Sequence, residues 1–320
     1  MFDVLAMGEL LIDFAPLSVD SCGYPSLQAQ PGGAPANFLA ALSEYGCRTG
    51  FIGKAGRDHF GRLLKATLES RGINTENLIL DPDYFTTLAF VALNEQGERT
   101  FSFARKPGAD TQLHFEEINL HYFNLARVFH FGTLSLTDEP SRTTTQNLVS
   151  YARKMRLLLS FDPNYRPPLW HSEAAARKEI LWGISQTDLI KISEEEIDFL
   201  WGISAQAGAE KLLNDYDIKL AMVTLGEKGS ILKSRAASCR IGVPAVKPVD
   251  TTGAGDIFGG SALSQILALQ KDPAFLTEEE LLHIGRFAGA AASLSTQSHG
   301  GISSVPALSA VQEVCSQGSW

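Results

Sequence analysis

The chain has 320 residues, 44% of them hydrophobic and 20% charged, with a formal net charge of -9 at pH 7. That length can bury a sizeable core as one large α/β domain or two smaller ones. The acidic balance excludes general affinity for nucleic acid or an anionic membrane, whose phosphates need lysine and arginine.

The start, MFDVLAMGELLIDFAP, is interrupted by Asp3, Glu9 and Asp13 and has no basic leader, so it is expected to form a buried strand and not a signal peptide. Residues 16–31, rich in Ser, Gly and Pro, read as a loop or irregular excursion. ANFLAALSEYG then places Phe38, Leu39, Leu42 and Tyr45 at helical spacing, with Gly46 as the C-cap. TGFIGKAG reads as a strand, and DHFGRLLKATLESRGI as a helix ending at Gly72. LAFVALNEQGERTFSFAR, residues 88–105, has two β-rich runs around a turn at 94–98, a hairpin and the one antiparallel-looking element. After it come strand RVFHFGTL, a helix over 139–155, strands LLLSFDPN and DLIKIS, a helix from Glu194, and strand KLAMVTLG.

This alternation implies a mostly parallel sheet covered by helices on both faces. No repeat, low-complexity tract or linker divides the chain, so a single domain over 1–320 is expected, with the hairpin and the excursion forming a small flap. Cys22, Cys47, Cys239 and Cys315 make no zinc-type spacing or disulfide framework. No run is long enough to cross a bilayer, and a cytoplasmic location is expected.

The stretch VDTTGAGDIFGG, residues 249–260, opens another helical run. It is neither of the familiar nucleotide loops. G-x-x-x-x-G-K-[ST] occurs nowhere, and in Gly253-Ala254-Gly255 the third glycine of G-x-G-x-x-G is replaced by Phe258. Glycines that open a helix can still turn successive amides onto an anion, with the helix dipole in place of a lysine. Asp256 in the first turn reads either as a dipole-stabilising N-terminal acid or as a general base beside that anion. PGGAPANFLAALSEYG, residues 31–46, is a second glycine pair leading into a helix, with Asn37 in its first turn.

Together these two stretches resemble the signature regions of the PfkB, or ribokinase-like, carbohydrate kinases. The resemblance continues in order through GELLIDF at 8–14, the hairpin at 88–105, FDPNYRPPLW at 161–170, VTLGEKG at 223–229 and HGGISSVP at 299–306, and so spans essentially the whole chain. GGAPANF, FSFARKPGAD and FDPNYRPPLW look most like the fructokinase branch.

The resemblance implies a ribokinase-like three-layer α/β/α fold with a β-lid from about 15–31 and 86–108. It also implies transfer of the γ-phosphoryl group of ATP to a sugar hydroxymethyl, most like fructose to fructose 6-phosphate, with Mg²⁺ and K⁺. Asp256 matches the family's catalytic base, and the amides of Gly253, Ala254 and Gly255 match its anion hole. Sugar contacts fall to Asp13, Gly33, Asn37, Arg105 and Arg166. Lys191, Ser193, Glu196, Thr224, Gly226 and Gly289 match nucleotide positions, together with Gly253 and Gly255. Gly285, four residues before Gly289, is expected to help that helix pack close to the adenine, unless helix packing alone explains both.

Where relatives carry Asn-x-x-Glu to organise Mg²⁺ through water, this chain has Ser193-Glu194-Glu195-Glu196, which is also a capping box. Thr277-Glu278-Glu279-Glu280 reads only as a helix start. Asp250 and the Thr252 carbonyl, with Ser295, Ser298, Gly300 and Ser304, match a monovalent-cation site, and oxygen-only donors suit a hard cation. A 2-keto-3-deoxygluconate kinase is the alternative within the class. A nucleoside kinase, a dinucleotide-dependent dehydrogenase and a non-catalytic sugar sensor are further readings. The flap edge, with Phe90, Phe101 and Phe103, is expected to pair with a second copy as a homodimer.

Overall fold

Alternation of short β-rich runs with helical stretches builds the chain in sequence order. It runs through β1 (Val4–Met7), β2 (Leu11–Val19), β3 (Pro25–Gly32), α1 (Ala34–Glu44), β4 (Thr49–Gly56), α2 (His59–Ser70), β5 (Asn74–Asp81), β6 (Leu88–Leu93) and β7 (Arg99–Ala104). Then follow β8 (Val128–Gly132), α3 (Ser141–Lys154), β9 (Leu158–Asp162), α4 (Glu173–Ser185), β10 (Leu189–Ser193), α5 (Glu194–Trp201), α6 (Ala205–Tyr216) and β11 (Leu220–Thr224). β12 (Ser230–Ser234), β13 (Ser238–Ile241), α7 (Ala254–Leu269), α8 (Glu278–Ser295) and α9 (Leu308–Gln317) complete it. The computed structural model describes residues 1–93 and 99–318, so the turn read at 94–98 lies outside the described residues.

The main sheet has the order β13-β12-β11-β10-β9-β8-β1-β4-β5. From β11 to β5 every pairing is parallel, while β12 and β13 run antiparallel at one edge. β1 shows why the sheet needs helices on both faces. Its residues alternate, Val4 and Ala6 entering a core with α1, α7 and α8, Leu5 and Met7 a second core with α3, α4 and α6. The ribokinase-like three-layer expectation is met in this sheet.

A second sheet, ordered β3-β2-β6-β7, stands apart from the first. Here the structure corrects two readings. VLAMGELLIDF is not one strand but two, β1 in the main sheet and β2 in the small one. Residues 16–31 are not irregular, since β2 and β3 form an antiparallel hairpin with its register broken between Pro16 and Ser18. A proline lacks the ladder N–H, and the bulge accommodates it. The hairpin at 88–105 is present as β6 and β7, but it is not the one antiparallel element, because β2–β3 and β11–β12–β13 are antiparallel too.

Helix α7 is buried along most of its length, from Asp256 through Ser264, with Ile266 beyond. It lies close against α1. A methyl on Gly260 would sit 2.3 Å from the Phe38 carbonyl and 3.0 Å from the Ala41 side chain. Gly260 therefore sets the spacing of the two helices. Gly260→Ala should lower stability by about 1–3 kcal/mol in urea unfolding through overpacking. It should also impair turnover, because it moves α1 away from the first turn of α7.

Candidate active site

The carboxyl ends of the parallel strands and the amino ends of the helices that follow enclose a cleft of about 1000 Å³. At its centre, Gly253 takes a left-handed φ of 77° and opens α7 with no side-chain cap. The Ala254 amide donates to the Thr251 carbonyl at 3.3 Å, and the amino end of the helix, with its positive dipole end, faces the cleft. Gly253, Ala254, Gly255 and Asp256 all line it.

Asp256 is buried, and its Oδ2 accepts a hydrogen bond of 2.9 Å from Asn37 Nδ2. Burial above all, and the charge of Asp162 second, push its carboxyl up to about 6, while Lys191, Asn37 and Arg166 pull it down. Asn37 is delivered by α1, whose amino end is fixed by an acid the sequence reading passed over. Glu9, buried beneath that turn, accepts from the Ala34 N–H at 2.7 Å and lines the cleft. Burial pushes Glu9 up to about 7. Asp13, where β2 leaves the core, also lines the cleft, and burial raises it to about 6 against the pull of Arg166.

Across the cleft, Lys191 on β10 is buried and its Nζ lies 3.1 Å from Asp162 at the end of β9. Burial disfavours its charge, but Asp162, then Glu196 and Asp256, outweigh that and hold the ammonium above the usual lysine range. The Ser193–Glu196 capping box forms in full at the start of α5. The second Glu196 oxygen accepts from Tyr165 N at 2.8 Å, which ties the DPNYR segment to the helix, and burial raises the Glu196 carboxyl. His130, stacked on Phe38 at 3.7 Å, is driven down to about 3 by burial and by Lys191, so it is neutral.

The structure brings Asp13, Gly33, Asn37, Arg166, Lys191, Ser193, Glu196, Thr224, Gly226, Thr252 and Gly289 to this one cleft with the Asp256 loop. Gly285 instead packs on Ile241 of β13, so of the two late glycines only Gly289 reaches the cleft. Thr277 caps α8, as read.

Arg105 differs from expectation. It is buried, with its guanidinium 2.7 Å from Asp110 and donating to the Leu134 carbonyl and Thr137 Oγ1. It is absent from the cleft lining. The sequence put a charge at a strand end, and the chain reversal after β7 turns it inward.

Asp250 lies behind the loop, accepting from the amides of Thr252 at 2.8 Å and Gly300 at 3.1 Å. The Ser298 amide donates to the Ser295 carbonyl, and the Ser304 hydroxyl to the Gly301 carbonyl, so the 295–304 turn folds over Asp250. The residues fit a hard monovalent ion in that their donors are all oxygens.

Apart from Glu9, the sequence reading missed Asn164, Leu134 and the stretch 243–248, of which Val243, Pro244, Ala245, Val246 and Pro248 line the cleft. The apolar, proline-broken text IGVPAVKPV was the signal available there. A carboxylate held well above its ordinary range by burial costs stability once it ionises.

The model for pfkB family carbohydrate kinases matches residues 1–308. Fructokinase-1 of Zea mays is 40% identical over 307 residues, covering 95% of this chain and 94% of its own. The crystal structure of the Vibrio cholerae O395 fructokinase in fructose-, ADP- and calcium-ion-bound form is 30% identical, with a TM-score of 0.85 over 98% of both chains. A double mutant of that fructokinase in fructose-, ADP- and potassium-ion-bound form, also 30% identical, gives a TM-score of 0.86 over 98% of both chains.

Asp256 yields a prediction that separates stability from function. Its pKa is raised from 3.8 to about 6, so the native state holds the proton more tightly than the unfolded chain. The associated stability is full below the unfolded value and is lost as pH rises through the folded one. Asp256→Asn should therefore stabilise the protein by about 1–3 kcal/mol at about pH 8, with the gain vanishing below about pH 4. Urea unfolding across that range checks it. The chain, matched over nearly its full length and carrying this cleft, belongs to the pfkB family of carbohydrate kinases.

Proposed function

We propose that the protein is an ATP-dependent fructokinase that moves the γ-phosphoryl group of ATP to the hydroxymethyl oxygen of fructose. The observation that carries the reading is one buried carboxylate, Asp256, in the glycine-opened first turn of α7 at the cleft and held in place by Asn37 from another helix. Phosphoryl transfer asks the protein for positioning and charge stabilisation more than for strong basicity. A carboxylate near 6 is ionised at neutral pH and can take the hydroxyl proton as the new bond forms.

Asp13, Gly33, Asn37 and Arg166 make the sugar end. Lys191, Ser193, Glu196, Thr224, Gly226 and Gly289 make the nucleotide end. Glu196 would organise Mg²⁺ through water, and the ion would neutralise phosphate charge. Asp250, Thr252, Ser295, Ser298, Gly300 and Ser304 would hold K⁺ behind the anion-binding amides. The calcium and potassium ions of the Vibrio cholerae fructokinase forms support a divalent and a monovalent ion.

A 2-keto-3-deoxygluconate substrate would bring a carboxylate that wants cations. Of Arg105 and Arg166 only the second reaches the cleft, since Arg105 is committed to Asp110. That favours the neutral hexose.

Purified protein with ATP, Mg²⁺ and K⁺ should release ADP on addition of fructose, with kcat/KM higher than for 2-keto-3-deoxygluconate. No turnover with any hexose would remove the assignment. Asp256→Asn should retain ATP and sugar binding while kcat falls by about 10²-fold or more. Wild-type kcat/KM should decline as pH drops through about 6, where Asp256 takes up its proton.

The small sheet would act as a lid and as the dimer contact. Leu17, Val19, Leu27 and Phe90 expose apolar surface there. Phe103 instead lines the cleft, and the Phe101 side chain lies outside the described residues. Light scattering at micromolar concentration should give twice the chain mass, and Leu17→Lys with Leu27→Lys should return monomer.

A further inference from the structure

The strands that carry the cleft at their carboxyl ends carry a second cavity at their amino ends. Its volume is about 480 Å³, and its polar lining comes from Arg127 ahead of β8, Arg153 and Arg156 at the end of α3, Thr187 and Asp188 ahead of β10, and Lys219 ahead of β11. Four cations face one carboxylate in a chain whose net charge is -9, so the basic character is local and not compositional. Five-residue strands separate this cavity from the catalytic end by roughly 15 Å.

The ion pairs leave much of that charge available. Asp188 is engaged on both oxygens, with Lys219 3.4 Å from Oδ1 and the Leu159 amide donating to Oδ2 at 2.9 Å. Arg127 sits 3.5 Å from Asp3, which Arg48 shares. Arg153 donates to the Gln186 carbonyl, a neutral acceptor. The Arg156 side chain has no partner among the described residues.

Thr187 supplies an independent sign. It is 7% exposed, it lines the cavity, and its hydroxyl has no hydrogen-bond partner among the described residues. A buried hydroxyl without a partner is costly, and an incoming acceptor would relieve it.

The backbone at Arg156 points the same way. The Leu157 amide bonds back to the Ala152 carbonyl and the Arg156 amide to the Arg153 carbonyl, a Schellman end to α3. Arg156 takes the left-handed position at φ 60°, where glycine is the residue of lowest cost. An arginine there gives up stability and places a guanidinium at the cavity rim.

We propose that this cavity binds the phosphate group of a small molecule, at a site separate from the catalytic cleft. Two guanidinium groups without carboxylate partners, with Lys219 and Arg127 around them, form a donor set matched to a doubly charged oxyanion. The volume admits either free phosphate or a compact phosphate monoester.

The test is calorimetric titration of the intact protein with inorganic phosphate and, separately, with glycerol phosphate, at constant ionic strength set with chloride. Wild type is expected to bind at millimolar concentration or below. Arg156→Gly is expected to weaken that binding by about tenfold or more while raising the melting temperature without ligand and leaving basal turnover unchanged. Arg153→Gln, a second variant on the other guanidinium, is expected to weaken binding similarly. Tighter binding of inorganic phosphate would identify the free ion as the ligand, and tighter binding of glycerol phosphate an ester; either result supports the site. Titrations of wild type and both variants that superimpose would place any bound phosphate elsewhere and overturn the proposal, as would no binding by wild type.

Discussion

A hydrogen bond between Asn37 and Asp256 ties the two halves of the site together. Asn37 and Asp256 are separated by 219 residues, and their side chains meet at 2.9 Å inside the protein. The contact depends on α1 and α7 crossing at Gly260, on Glu9 holding the amino end of α1, and on Gly253 turning the chain into α7. Each is a local fact, yet together they fix where the Asp256 carboxylate stands relative to the start of α7. An error of about 1 Å in that placement would cost catalysis far more than it would cost folding.

Charge inside the cleft is arranged to the same end. Lys191 is the buried cation, and its neighbours Asp162, Glu196 and Asp256 hold it ionised against burial. His130 packs on Phe38 as a neutral ring, so it adds no second positive charge beside Lys191. Glu9, Asp13 and Asp256 are all pushed upward chiefly by burial. The cleft thus keeps these three, and Glu196 with them, in surroundings that disfavour their ionised forms. A polyhydroxyl ligand and cations would offer what water no longer supplies there. The stability given up at Asp256 would be the energetic counterpart of its proposed role as the base.

Much of this was legible in the sequence because the helix-opening loops carry strong local rules. Gly253-Ala254-Gly255-Asp256 and the PGGAPAN turn announce themselves by glycine and by the absence of lysine. The parallel strands read clearly because burial on both faces makes them nearly continuous apolar runs. The small sheet did not. β2 and β3 are largely exposed beyond Phe14, their text is Ser- and Pro-rich, and they earn strand geometry only from each other and from β6.

Arg105 shows a different limit. Its partner Asp110 is five residues on and visible in the text, but whether the charge points outward or inward is decided by the fold of 105–110 beneath Leu134 and Thr137. Glu9 had no signature beyond being an acid in an apolar run. Its significance comes from the Ala34 amide, 25 positions later.

The two ends of a parallel sheet are not equivalent, and the basic cavity makes sense only against that asymmetry. Helix amino ends gather at the carboxyl edge of the strands, so anions are welcomed there by amides without any lysine in the loop. At the opposite edge helix carboxyl ends gather, and their carbonyls attract cations. Arg153 and Lys154 in the last turn of α3 can be assigned to that attraction. Arg156 cannot, for it stands past the helix in a left-handed conformation that an arginine has no intrinsic reason to hold. Nor can Arg127 and Lys219, which arrive from the starts of two strands. An anion at this edge must be held by side chains because the backbone there presents carbonyls. The two proposed sites would accordingly use opposite chemistries for phosphate, main-chain donors at one end of the sheet and guanidinium groups at the other.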